Sequence, residues 1–212
     1  LGKFTETMYF YGTVASLTAT KNFNVARANA TERGCSNATT CTGLTFATTP
    51  FVQIVAKDAE GNLVPGAALA NAVTAKITDT AVIAASTVTA VTAEASATTA
   101  GVTTDPYGLG YFNASVAGNV AATSGQKTTV VYRTLLADGV TYVTSNAVEI
   151  SIGGSAYNQT VALDKSSYEP GEGMTVTLTC KDSAGNACYD GLASPAVSFS
   201  KAVSGELAAD IY

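Results

Sequence analysis

Apolar and polar residues alternate with a period of two along much of this chain. FVQIVA at 51–56, VTLTC at 176–180 and AVEISI at 147–152 each place apolar side chains on one face and more polar ones on the other. That is the pattern of a strand buried on one side only. Further extended segments are predicted at 6–12, 14–21, 72–79, 81–92, 109–118, 127–136 and 141–146, separated by turn-forming residues. No window carries an i, i+3, i+4, i+7 apolar stripe capped at both ends. The Ala-rich stretch at 81–100 is the best helix candidate, but its Val, Ile and Thr content favours strand. The expected class is all-β.

Two of these runs end in nearly the same six residues, KDAEGN at 57–62 and KDSAGN at 181–186, a shift of 124. Under that shift Val52, Ile54 and Ala56 fall on Val176, Leu178 and Cys180, so one face is apolar in both copies. Upstream, GTVASLTATKNF at 12–23 resembles GSAYNQTVALDKSSY at 154–168, with Lys21 placed on Lys165 at a shift of 144. The difference of about 20 residues is read as an insertion in the first copy, at about 27–49. Closure entropy grows slowly with loop length, so a surface loop tolerates such an insertion. Further back, TETMYFYG at 5–12 resembles AVEISIGG at 147–154. Self-similarity of this kind is the mark of tandem architecture.

The repeated hexapeptide has the chemistry of a hairpin tip. With Asp182 and Asn186 as closing pair, Ser183, Ala184 and Gly185 form a three-residue loop whose glycine supplies the left-handed position. Asp at the first turn position bonds its side chain to the backbone two residues on. This register sets Cys180 opposite Cys188, and sets Ala56 opposite Val64 in the first copy. A core-facing cross-strand pair is thereby Ala/Val once and Cys/Cys once. The other two cysteines, Cys35 and Cys41, are also a local pair, inside the insertion. Zinc-ribbon spacing is absent and the chain has no histidine, so two short-range disulfides are expected, and with them an oxidising, extracytoplasmic setting.

Charge narrows the range of partners. Only 13% of residues are charged and the net charge is -5, so clustered cations for nucleic acid are missing. The 81–102 stretch carries too many Thr and Ser, and Glu94, to act as a membrane-spanning helix. Leu1 is read as a processed end or a cut, since no Met and no leader pattern opens the chain.

No catalytic constellation stands out, and the chain is read as a non-enzyme. Absence of histidine removes the usual triads and His-ligand metal sites. Ser124-Gly-Gln-Lys127 has S-x-x-K spacing but sits in a Gly-flanked turn before a strand. Glu169 and Glu172 are a carboxylate pair flanking a Pro-Gly turn, where solvated acids are ordinary. No cofactor is expected. Calcium is the one ion left room for, through Asp58, Glu60 and Asn62, or Asp182, Asn186 and Asp190, although neither set has calcium-loop spacing. Sequons occur at Asn29, Asn37, Asn113 and Asn158, and their number does not by itself require glycosylation.

Tyr168-Glu-Pro-Gly-Glu followed by VTLTC and KDSAGN resembles the bacterial immunoglobulin-like repeats of invasin-like adhesins and S-layer proteins. Asp105-Pro-Tyr-Gly-Leu-Gly-Tyr followed by GQKTTVV resembles the back half of such a repeat. The resemblance implies immunoglobulin-like β-sandwich modules in tandem: a terminal strand at 1–12, a complete module at 13–154 and the first half of another at 155–212. It implies a structural segment of an extracellular or cell-surface protein, foremost an S-layer or envelope lattice that self-assembles with its own copies and contacts cell-wall or surface glycan. The alternatives are an adhesin or binding-stalk spacer, a pilus or fibre subunit completed by strand exchange, and last an accessory carbohydrate-binding module.

Overall fold

The computed structural model describes residues 10–32, 50–91 and 110–192. Among these the chain is all-β, and one 3-10 turn at Gly66–Ala68 is the sole helical element. From residue 14 onward the expected strands are present wherever residues are described, with two changes that bear on register.

One sheet contains β1 (Ser16–Lys21), β4 (Val52–Lys57), β7 (Val88–Ala90) and β8 (Tyr111–Ala114), in the order β1-β4-β8-β7 and antiparallel throughout. Val52, Ile54 and Ala56 point inward and are fully buried, as their alternation requires. A second sheet is built around the long strand β10 (Lys127–Leu135). On one edge of β10 lies β5 (Thr74–Ile77); on the other lie β11 (Tyr142–Thr144) and β12 (Val148–Gly153), end to end. The strand β2 (Val25–Arg27) then pairs with β12 in parallel. A small third sheet has the order β3-β9-β6, from β3 (Thr31–Glu32), β6 (Ile83–Ala85) and β9 (Val116–Gly118). The remaining pair, β13 (Asn158–Leu163) and β14 (Val176–Lys181), forms a separate antiparallel hairpin.

The inward faces of the two large sheets share one core. Leu17, Ile54 and Phe112 from the first meet Val130, Tyr132 and Ile150 from the second. Phe23 and Phe51 stack at 5.7 Å between ring centroids, tilted by 51°, an arrangement worth about 0.5–1.5 kcal/mol beyond the area it buries. Tyr132 is fully buried, and its hydroxyl lies 3.1 Å from the Ser86 hydroxyl, which itself donates to the Ser115 carbonyl at 2.7 Å. Burial raises the Tyr132 phenol to about 12. Ser86 and Ser115 lie where chain segments leave one sheet for another: 83–90 divides into β6 and β7, and 111–118 into β8 and β9. The extended reading of 81–92 therefore agrees with the structure over 83–90, while residues 92–100 lie outside the described residues.

Between β11 and β12 the edge strand holds one extra residue. Arg133 pairs with Thr144 and Val130 with Val148, so two residues of β10 face three of its partner. The Ser145 hydroxyl fills the gap, accepting the Tyr132 N–H at 3.0 Å, while the Ser145 N–H donates to the Tyr132 carbonyl at 2.8 Å.

Two expectations are corrected. The ladder of β1 on β4 pairs Ser16 with Lys57, and that of β13 on β14 pairs Asn158 with Lys181. The upstream shift is therefore 142 (Ser16 to Asn158), and Leu163 rather than Lys165 stands in the place of Lys21. The two exposed lysines have unlike partners, the Glu149 carbonyl for Lys21 and Glu172 for Lys165, so their shared letter sets no register, whereas the hydrogen-bond ladder does. The second correction concerns the insertion expected at 27–49. Its opening residues belong to the sheets, since Arg27 pairs with Gly153 and Thr31 with Ala117. The Cys35–Cys41 pair lies outside the described residues.

Candidate functional site

The two KD-x-x-GN tips have the same backbone. Asp58 N–H donates to the Asn62 carbonyl and Asp182 N–H to that of Asn186, each at 2.9 Å. Gly61 and Gly185 take φ of 88° and 82°, a region that a side chain would strain. In each tip one carboxylate oxygen, Oδ1, accepts two N–H groups of its own loop: Glu60 at 3.1 Å and Asn62 at 2.8 Å for Asp58, and Ala184 and Asn186, both at 2.9 Å, for Asp182. The aspartate side chain thereby satisfies donors that the tight turn cannot pair with backbone.

The other oxygen reaches out of the loop to the chain just ahead of the hairpin's first strand. Gly12 N–H donates to Asp58 Oδ2 at 2.7 Å, and Gly154 N–H donates to Asp182 Oδ2 at 3.0 Å. Gly12 and Gly154 are related by the same shift as Ser16 and Asn158, so this clasp repeats along with the strands. The Gly12 N–H is the foremost cause holding the Asp58 carboxyl below its usual range. Such an aspartate both shapes its turn and fixes the entry of the strand that pairs with it. The sequence showed the turn chemistry of these aspartates but not the clasp, because Gly12 and Asp58 are 46 residues apart and nothing in either motif names the other.

At the second tip the clasp continues into the body of residues 13–154. The Ser124 hydroxyl donates to Asp182 Oδ2, and Asn186 Nδ2 donates to Ser124 Oγ at 3.1 Å. The Ser124 hydroxyl is the foremost reason the Asp182 carboxyl is lowered. Beyond the tip, Asp190 Oδ2 accepts the N–H groups of Asn24 and Val25 at 2.5 and 2.8 Å, and Asp190 N–H donates to the Val25 carbonyl at 3.0 Å. Here burial dominates and pushes the Asp190 carboxyl up. The Arg27 guanidinium lies over the Tyr189 ring at 4.9 Å. Close approach needs Gly153, where a Cβ would come within 2.5 Å of Val25 Cγ1 and 2.6 Å of the Ala187 carbonyl oxygen.

Cys180 and Cys188 are joined by a disulfide, with Cα atoms 5.6 Å apart. They flank the bridge between Lys181 and Ala187, as Ala56 and Val64 flank the bridge between Lys57 and Leu63. Both pairs are buried. The cross-strand position chosen from the sequence register is thus the one the structure bonds.

The remaining candidates do not assemble. Ser124 is taken up by Asp182 and Asn186, whereas Lys127 forms an exposed ion pair with Glu149 at 3.1 Å. Glu172 bonds Lys165 and accepts the Glu169 N–H at 3.0 Å, so it closes a turn. Its carboxyl is lowered first by that lysine. Among the described residues no group of three or more Asp, Glu or Cys is placed to hold a metal ion. The oxygens proposed for calcium in Asp58 and Asp182 already accept N–H and O–H donors. Of the sequons, Asn158 is exposed at the start of β13, Asn29 has a φ of 55°, and the Asn113 carbonyl oxygen is buried within a sheet. Asn37 lies outside the described residues. No helix among the described residues is long and apolar enough to cross a membrane.

No protein-family model, curated protein or solved structure matches the chain.

Proposed function

We propose that this chain is a load-carrying segment of an extracellular or cell-surface protein, built from immunoglobulin-like β-sandwich modules in tandem, and that it forms part of an S-layer or similar envelope lattice. The observation that carries this reading is the repeated clasp, Gly12 on Asp58 and Gly154 on Asp182. A contact repeated at the same step as the strands is what a chain of like units joined end to end requires. Sheet order supports the module type. The order β1-β4-β8-β7, facing β5-β10-β12, matches the ABED and CFG sheets of an immunoglobulin-like sandwich, and β2 then lies where a first strand crosses to pair with the last. The Cys180–Cys188 bridge supports an oxidising location.

Function in this reading lies in packing and not in a reaction centre. Imaging the intact assembly tests it. A two-dimensional lattice with lateral contacts between copies is the expected result. Isolated rods projecting from the surface would replace it with the adhesin-stalk reading. Filaments would replace it with the fibre reading, which one observation favours: Val161 and Leu163 of β13 are 52% and 47% exposed, an apolar edge strand suited to receiving another strand.

A further inference from the structure

We propose that the outward face of the sheet built on β10 is a binding surface for a carboxylated polysaccharide, with Arg133 and Lys76 as its cations and Tyr142 as its stacking ring. The site stands apart from the lattice reading and does not depend on it.

The pairing registers assemble this face. Val131, Arg133 and Leu135 are the half-buried residues of β10 that alternate with its inward Val130, Tyr132 and Thr134. Lys76 of β5 stands opposite Val131, Thr74 and Thr144 stand opposite Arg133 on its two sides, and Tyr142 stands opposite Leu135. Directly opposed residues share a face. Thr74, Arg133 and Thr144 therefore form a row across three strands, about 10 Å long at the usual strand spacing. Lys76 is the diagonal neighbour of Arg133, and Thr74, Lys76, Tyr142 and Thr144 are all exposed.

Two observations point to an outside anion. Among the described residues neither Arg133 nor Lys76 forms an ion pair, although the chain holds 16 acidic residues against 11 basic. Glu149, on the same face opposite Thr129, is engaged by Lys127 at 3.1 Å. Neighbouring like charges on one face repel, and a bound carboxylate relieves this. Independently, Arg133 Nε is buried without a hydrogen-bond partner, whereas buried donors are nearly always paired. A carboxylate gripped in bidentate fashion gives the guanidinium the acceptors it lacks. The rest of the face suits a sugar. The Arg133 guanidinium is braced over the Tyr142 ring at 4.4 Å, and Tyr142 remains 46% exposed, leaving ring surface for the C–H face of a pyranose. The Thr74 hydroxyl donates to the Arg133 carbonyl at 3.3 Å, and its oxygen can still accept from a sugar hydroxyl. A uronic acid offers carboxylate, apolar ring face and hydroxyls together. An acidic peptide lacks the hydroxylated ring, and a neutral sugar lacks the charge.

Calorimetric titration of residues 1–212 with oligogalacturonate tests this, beside a maltooligosaccharide of the same length and poly-L-glutamate. Oligogalacturonate should bind, more weakly as salt rises, and neither of the other two should bind comparably. Arg133→Gln should weaken binding about tenfold, through loss of a charge-assisted bond, and Tyr142→Ala about fivefold. Lys76→Gln alters an exposed residue of an edge strand, so its loss of affinity is readable even where Arg133→Gln misfolds. Lys127→Gln, on the same face but paired with Glu149, should leave the affinity unchanged. No binding of oligogalacturonate, equal binding of the maltooligosaccharide, or unchanged affinity in Lys76→Gln overturns the proposal. Equal binding of poly-L-glutamate overturns it in favour of an acidic peptide partner.

Discussion

The side-chain amide of Asn146 pairs with the backbone of Ala19 in both directions, accepting its N–H and donating to its carbonyl, each at 2.9 Å. Ala19 belongs to the edge strand β1 and Asn146 to the bulge between β11 and β12, so one side chain closes the open edge of one sheet with a residue of the other. The extra residue in the bulge is what turns Asn146 toward β1. Asn146→Ala should cost about 1–3 kcal/mol, the range for leaving backbone groups without their partner, read as a fall in the denaturation midpoint. Asn146→Asp should cost at least as much, because a carboxylate faces the Ala19 carbonyl with no donor. Faster amide exchange at Ala19 in both variants would localise the loss.

The disulfide gives a prediction confined to one hairpin. Removing Cys180–Cys188 by reduction should lower the stability of β13–β14 by about 2 kcal/mol, since the closed loop is short. In Cys180→Ala with Cys188→Val, which leaves Cys35 and Cys41 untouched, the transition of residues 13–154 should not move. Cys180→Ala with Cys188→Val copies the Ala56/Val64 pair of the first hairpin, and under reducing conditions it should unfold later than the reduced parent. Calorimetry with and without reductant reads all three.

Asp182 and Asp190 give opposite pH dependences. The Asp182 carboxyl is lowered, so its contribution is present above about pH 4, the ordinary aspartate value, and is lost as pH falls through its folded value. The Asp190 carboxyl is raised by burial, so the folded state binds its proton more tightly than the unfolded chain, and stability falls as pH rises from the ordinary aspartate value through the raised one. Asp190→Asn keeps an acceptor for Asn24 and Val25 and should flatten the decline just above the ordinary carboxylate range. Asp182→Asn should reduce the loss at lower pH, to which the lowered carboxyls of Asp58 and Glu172 also contribute. Denaturant midpoints between about pH 3 and pH 7 separate the two.

Tyr132→Phe removes a buried hydroxyl whose partner, Ser86, keeps its bond to Ser115. The expected cost is about 1 kcal/mol. Phe51→Ala, which empties a fully buried ring position, should cost about 3–5 kcal/mol and serves as the scale for the first value in the same denaturation series.

What the sequence made legible was local. Alternation in 51–56 and 176–180, together with turn chemistry at Asp182, Gly185 and Asn186, is enough to place Cys180 opposite Cys188, because a tight loop transmits register from one strand to the next. The relations that tie distant segments were not legible. Gly12 to Asp58, Ser124 to Asp182 and Asn146 to Ala19 each join a small polar residue to a backbone group or side chain far along the chain, and such residues are common in every turn. The misplacement of Lys21 on Lys165 has the same origin: matching letters on a solvent-facing surface carry no information about which residues hydrogen-bond.

Parallel pairing of β2 with β12 has a mechanical consequence. Residues 16–27 and 146–153 run side by side in the same direction, linked at Ala19–Asn146, Lys21–Glu149 and Val25–Ser151. Tension drawing Gly12 and Gly154 apart therefore slides these segments along one another and strains their links together, where a hairpin pulled at its open end would break its links in succession. The bulge at Asn146 adds its link to that shear path, so Asn146→Ala should lower the force that ruptures residues 13–154 when they are stretched between those two glycines.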